Sequence, residues 1–442
     1  MLGISYSKKE LLEWGKKYVI EAMGFEPIVF TEGKGVKVKD IEGKEYLDAI
    51  SAVWVLNLGY HHPEVLKAVK EQIDKIEFVS PEFQCIPKIM LAKKLAEIAP
   101  GNLKKTLFAL SGAGAIEGAM HLAMRYTGGN EFITFYHAFH GRTFVTSALS
   151  YTYPKMLEGG KKGLERYMIK QIRIPNFYCY RCYFNLEYPD CDLFCVKFVE
   201  TTIKHAADSR IAGVIVEPVQ ANGGMIPAPD GYLPELQKVC NDYDIPLIVD
   251  EVQTAFCRCG KMWASELYRV SPDLLVMGKA LGGGFPLAGT LATEKCSSLV
   301  GWEYGFTEMA HPVACAASLA MISTMIKEQL ADNAAKMGKI ITNRIKELAE
   351  RYKIIGDVRG PGLMIGVELV KDQESKKPAC EETDYIIKKG YEKGILLGKS
   401  GPLFGPYGNV IKIKPAVNIT KDQVENMLQL FEELIKEAQR KI

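Results

Sequence analysis

The chain has 442 residues, 48% hydrophobic and 24% charged, with a formal net charge of +2. This is the balance of a globular protein with enough chain for two or three domains and an ample core. It gives no reason to expect a polyanionic partner such as nucleic acid, and no apolar run approaches the ~20 residues of a membrane span.

The first stretch, Met1–Gly24, lacks the continuous apolar segment of a secretory signal. Its apolar residues alternate with Lys and Glu at helical spacing and predict an amphipathic helix. Eleven cysteines, an odd number scattered along the chain, point to free thiols in a reducing compartment, so a cytoplasmic location is expected. The segment 35–51, GVKVKDIEGKEYLDAIS, reads as two strands around a turn at Glu42-Gly43.

An alternation of apolar strands and amphipathic helices follows, the pattern of an α/β domain with a mostly parallel sheet. Strands are predicted at 105–110, 131–135, 211–218, 245–252, 273–277 and 288–294. Helices are predicted between them, as at 115–126 and 233–243. The basic run Lys161–Arg166 reads as solvated surface. From about Met321 a long charged helical stretch runs through Arg351, then a strand pair within 356–372 and a C-terminal amphipathic helix. The expected organisation is an N-terminal part of a small domain at 1–70, a large domain at 71–324, and the C-terminal part of the small α+β domain at 325–442.

Ligands of open parallel sheets sit beyond the carboxyl ends of the strands, and three such ends carry the chemistry here. In LFALSGAGAIEGAMHLAMR, the small residues Ser111 to Ala115 follow a strand and open a helix. Such a turn brings backbone N–H groups close to a phosphate; the alternative is tight packing of helix on strand. In LIVDEVQTAF, Asp250 closes an apolar strand, either as a helix cap or as partner to a cation. In DLLVMGKALGGG, Lys279 follows a buried strand. It is no Walker lysine, since Asp273 and Ala280 stand where that motif needs a glycine and a Ser or Thr. A lysine kept partly desolvated there has a lowered pKa and acts as a nucleophile. A phosphate cradle, a carboxylate for a ring cation and an amine for an aldehyde together suit pyridoxal phosphate.

The stretch 247–294 closely resembles the signature of class III (omega-type) aminotransferases of pyridoxal-phosphate fold type I. The blocks SGAGAIEGAMHLA, FHGRT, EPVQANGG, GFTEMAHPVACAA and GDVRGPGLMIGVELVKD match in order, so the resemblance spans nearly the whole chain. Among subgroups the chain is most similar to the alanine–glyoxylate aminotransferase 2 and omega-amino-acid branch. The resemblance implies that Lys279 is the Schiff-base lysine and proton carrier, and that Asp250 pairs with the pyridinium nitrogen. It further implies that Gln253 bonds the phenolic oxygen, while Val252 and Phe139 cover the two ring faces. Ser111, Gly112 and Ala113 belong to the phosphate turn, and His140 stands beside the ring-stacking residue as a ligand or a structural histidine. Thr307 matches a threonine that reaches the phosphate from a neighbouring subunit, so a homodimer is expected. Glu217 and Trp54 fall at substrate positions, although Trp54 reads equally well as a core residue. The expected activity is transfer of an amino group from an omega- or beta-amino donor to pyruvate or 2-oxoglutarate; racemases and epimerases of the same family are the alternative.

Departures from the family sharpen the substrate question. Lys412 stands where the family usually has an arginine that grips a carboxylate by a bidentate fork, and Ala416 replaces a second proline. Lysine offers a point charge instead, which leaves room for a donor with a neutral, amidated or thioester end, such as a beta-amino acyl-CoA. Gly114 and Ile116 replace the usual Glu and Asn of the phosphate loop, and Cys257 and Cys259 read as small packing residues. Cys179, Cys182, Cys191 and Cys195 have a spacing that permits zinc or an iron–sulfur cluster, but no metal is expected.

Overall fold

The computed structural model describes residues 6–21, 26–150, 169–400 and 407–441; the basic run Lys161–Arg166 lies outside these, as do the ends of Met1–Gly24. The apolar strands assemble into a seven-stranded sheet in the order Lys105–Ala109, Ala288–Ala292, Leu274–Met277, Leu247–Asp250, Ile211–Val216, Glu131–Phe135, Lys170–Ile174. Ala288–Ala292 runs antiparallel to both its neighbours, and the other pairs are parallel. The three central strands are buried along their whole length, which is why they read as continuous apolar runs rather than alternating ones. Helix Gly112–Thr127 packs its Ala- and Gly-rich face on this sheet.

The predicted strands hold, with shorter ends. Ile211–Val216 stops before Glu217, and Leu247–Asp250 begins after Pro246, which has no ladder donor. The edge strand Lys170–Ile174 was not foreseen; its alternating Lys-Gln-Ile-Arg-Ile pattern carries too little apolar signal. The single helical stretch expected to Arg351 is two helices, Pro312–Lys327 and Leu330–Arg351, broken where Gln329 adopts a left-handed φ of 51°. Helix Lys8–Tyr18 starts at a capping box between Ser7 and Glu10.

Residues from distant parts of the chain share smaller sheets. Ile395–Leu396 pairs in parallel with Glu45–Asp48, and Ile365–Asp372 pairs with Val410–Ile413. Between the first of these sheets and the central one lies an unusual turn. Ser51, Ala52, Val53 and Trp54 all have positive φ, from 47° to 70°, so one left-handed helical turn is built from non-glycine residues. Each such residue costs about 1–2 kcal/mol, and the surroundings must hold the conformation.

Asp48 does most of that. Its Oδ1 accepts from the Ile50 N–H at 2.8 Å, and its Oδ2 accepts from the Ala52 N–H at 2.7 Å and the Tyr60 hydroxyl at 2.9 Å. Farther along, Ser51 Oγ donates to the Lys414 carbonyl at 2.5 Å, and the Lys414 N–H donates to Ala49 O at 2.7 Å. Asp48→Ala is expected to lower the unfolding free energy by about 2 kcal/mol, since three partly buried donors lose their acceptor. Urea denaturation of the purified protein checks this; a change below about 0.5 kcal/mol would mean the turn holds itself.

Candidate functional site

Register decides which side chains meet. Asp250 pairs across from Val276, so Asp250 and Lys279 emerge at the same edge of the sheet, and Glu217 follows the adjacent strand at that edge. The turn at Ser111 follows strand Lys105–Ala109, and Phe139 and His140 follow Glu131–Phe135, again at carboxyl ends. Together Gly112, Ala113, Phe139, His140, Glu217, Asp250, Val252, Gln253 and Lys279 line one cavity of about 450 Å³, mouth included.

One wall is the start of helix Gly112–Thr127. Ser111 is its N-cap, and the Ser111 hydroxyl accepts from the Gly114 N–H at 3.1 Å, which fixes the start of the helix. The N–H groups of Gly112 and Ala113 lie in the first turn, which has no intrahelical acceptors. Gly112 is required by packing: a Cβ there would stand 2.9 Å from Val252 Cγ1. The absence of a side chain at Gly114 is filled by Phe306, and Tyr304 donates its hydroxyl to Gly114 O.

The opposite wall is charged and buried. Asp250 accepts from the Val252 N–H at 3.0 Å through Oδ1 and lies 2.8 Å from His140 Nδ1 through Oδ2. His140 Nε2 is buried with no partner among the described residues. Glu217 accepts from the Phe139 N–H at 2.9 Å and the Ala221 N–H at 3.1 Å. Burial pushes the Glu217 carboxyl up to about 7; the charge of His140 opposes this and that of Asp250 adds to it. Lys279 has a left-handed φ of 41° in the short turn Lys279–Gly282. Burial holds its amine below the ordinary lysine range even though Asp250 and Glu217 act the other way.

Three lysines ring Trp54. Lys279, Lys412 and Lys414 place Nζ at 5.8, 5.2 and 4.2 Å from the indole centroid. Burial lowers Lys412 to about 7, with Glu217 opposing and Lys279 reinforcing the shift. Lys412 is 3.5 Å from Asn222 Oδ1, and Lys414 donates to Gln253 Oε1 at 3.1 Å. Lys414 was missed in the sequence, although Lys412 and Lys414 stand two residues apart at a strand end and so share a face. Thr307 is not brought into this cavity: it lines a separate groove with Ser80, Trp302 and Tyr304. The four cysteines of the 179–195 segment line one small pocket as free thiols, and no metal-holding cluster occurs among the described residues. Cys257 and Cys259 are buried in the core.

Residues 20–435 match the family Aminotransferase class-III. The chain belongs to the class-III aminotransferase family. Members of this family are enzymes that work with pyridoxal phosphate, and this chain is a pyridoxal-phosphate-dependent aminotransferase. It is 33% identical over 437 residues to a leucine/methionine racemase of Thermococcus litoralis, covering 98% of this chain and 96% of the relative. It is 34% identical over 418 residues to a 5-aminovalerate aminotransferase of Pseudomonas putida, covering 93% and 94%. An omega transaminase of Pseudomonas jessenii, solved in complex with PMP, superposes with a TM-score of 0.89 at 26% identity, covering 97% and 98%.

The cavity fits the class-III cofactor. A carboxylate has about four acceptor positions, so Asp250 retains capacity for a ring N–H after its bonds to Val252 and His140. The first helical turn offers donors for a phosphate, and the unpartnered His140 Nε2 lies in a polar buried setting.

The raised carboxyl of Glu217 sets a pH dependence. Ionisation of Glu217 inside the protein is disfavoured, so the contribution of this group to stability falls as pH rises from about 4.5 to about 7. Glu217→Gln, a mimic of the protonated acid, is expected to match wild type near pH 4 and to be the more stable protein near pH 8. Thermal unfolding at the two pH values checks the sign; greater stability of wild type at the higher pH would contradict it.

Proposed function

We propose that the enzyme transfers an amino group from an omega- or beta-amino donor to an oxo acid such as pyruvate or 2-oxoglutarate, with Lys279 and Asp250 as its catalytic residues. The observation that carries this reading is the meeting of Lys279, Asp250 and Gln253 in one buried cavity at adjacent strand ends. The omega-amino donor is supported by the names of the Pseudomonas putida and Pseudomonas jessenii relatives. Bound pyridoxal phosphate supplies an aldehyde for the amine and a ring that accepts the electron pair left on the substrate carbon.

Each residue then has a part. The Lys279 amine, whose proton affinity burial lowers, is the nucleophile toward the aldehyde and afterwards carries the proton to and from the substrate carbon. Asp250 holds the proton on the ring nitrogen, and His140 orients that carboxylate by its bond to Oδ2. The N–H groups of Gly112 and Ala113 donate to the phosphate, with Ser111 fixing the turn that presents them. Gln253 donates to the phenolic oxygen, while Val252 and Phe139 cover the ring. Thr307 of a second copy completes the phosphate site, so the active form is a homodimer. Trp54 walls the substrate space, and Lys412 with Glu217 reads the far end of the substrate. Lysine there gives weaker directional grip on a carboxylate than a guanidinium, which favours donors that do not rely on a carboxylate fork. The free thiols support a cytoplasmic enzyme.

Racemisation is the second reading, favoured by the similarity to the Thermococcus litoralis racemase. Both reactions begin with the same deprotonation, so Lys279, Asp250 and Gln253 do not separate them. Donor alone should convert the bound cofactor to its amine form in a transaminase; inversion of the donor without that conversion would favour the racemase. Lys279→Ala is expected to abolish the visible absorbance that arises from the lysine–cofactor linkage and to slow turnover by about a thousandfold or more, loss of the proton carrier and nucleophile together. Persistence of both would defeat the assignment.

A further inference from the structure

The polar end of Lys414 is the unexplained feature of this site. Lys414 is wholly buried, and lysine is almost never fully buried unless paired. Its largest electrostatic neighbours are Arg258, Lys279 and Lys412, all cations, with the Cys259 thiol the opposing group. Burial and those cations hold its amine well below the ordinary lysine range. A Met or Leu would occupy the same volume without the desolvation cost.

The amine has one polar contact that explains its presence. Nζ lies 3.1 Å from Gln253 Oε1, and Gln253 lines the cavity beside Lys279. We propose that Lys414 is a positioning residue for Gln253, fixing the amide so that its nitrogen rather than its oxygen faces the cofactor cavity. This rests on the reading that Gln253 serves the phenolic oxygen of bound pyridoxal phosphate.

The two ends of a glutamine amide are nearly equal in size, so shape alone does not choose between them. A charged lysine presents N–H donors only and so selects the amide oxygen as its partner, and a neutral one still has two N–H donors to offer it, the contact seen here. That choice directs the NH₂ group to the other side. The reach of Lys414 is fixed at its root as well. Its N–H is held by Ala49 O and its carbonyl by Ser51 Oγ, and the Arg258 guanidinium bonds the next carbonyl, of Pro415. Above it the Trp54 ring, 4.2 Å from Nζ, limits where the amine can swing. The left-handed turn at Ser51–Trp54 thus has a consequence for the cofactor: it seats the lysine that seats the glutamine.

A donor facing the phenolic oxygen favours its ionised form; an amide oxygen in the same place disfavours it. Absorbance of bound pyridoxal phosphate, followed across pH, reports that ionisation without requiring turnover. Lys414→Met is expected to raise the pH midpoint of the absorbance change by about one unit, and Lys414→Arg, which keeps a donor-only group, to move it back toward wild type. Thermal unfolding of the same samples separates this from a general loss of stability. The deciding comparison is made in a Gln253→Leu background. If Lys414 acts through Gln253, Lys414→Met adds no further shift there; a full additional shift overturns the proposal, as does an unchanged midpoint in the single variant. Lys414→Leu, which also removes the donor, carries the same comparison should Lys414→Met fail to fold. Absence of visible cofactor absorbance in wild type would instead overturn the reading of the site on which this rests.

Discussion

A lysine amine held out of water beside two buried carboxylates is the constraint around which the molecule is organised. Lys279 must be dry enough to shed its proton, yet close enough to acid groups to work with them. The sheet meets both demands by geometry. Parallel strands end at one edge, and the register of Leu247–Asp250 against Leu274–Met277 places acid and amine on neighbouring strands at the same level. Backbone donors occupy the carboxylates: Val252 on Asp250, Phe139 and Ala221 on Glu217. Without those bonds the buried charges would be untenable.

The second organising feature is strain, used locally and held elsewhere. Four consecutive left-handed residues are unfavourable for any L-amino-acid chain. Here they place the Trp54 ring against three lysines. Asp48 on one side and the Lys414 backbone on the other hold the turn. Because Lys414 follows strand Val410–Ile413 in the C-terminal part of the chain, the Trp54 side of the cavity depends on both chain ends packing together.

Comparison with relatives leaves the reaction class plain and the substrate open, and the physical reason lies in the cavity. The groups around Asp250 and Gly112 serve the cofactor whichever amine arrives. In the proposed reading discrimination falls to the Trp54 side, where this chain has two buried lysines. A point charge there tolerates more variety than a guanidinium fork, and its low proton affinity makes the local charge depend on what binds.

Much of this was legible in the sequence. Continuous apolar runs located the buried strands, and the rule that ligands lie beyond parallel strand ends singled out Ser111, Asp250 and Lys279. Short-range patterns of this kind survive folding because strand and helix periods are local properties. What the sequence left unread involves partners far apart along the chain. His140 meets Asp250 across 110 residues, and Lys414 meets Gln253 across 161. No local period encodes such pairs. That Ser111 caps the helix that opens at the phosphate turn is seen only in the fold, where its hydroxyl accepts from the Gly114 N–H. The residues of the sequence by themselves determined the cofactor chemistry, since only certain groups can supply it. Tertiary structure alone decided how those groups are aimed, since orientation comes from contacts that form only when distant segments pack.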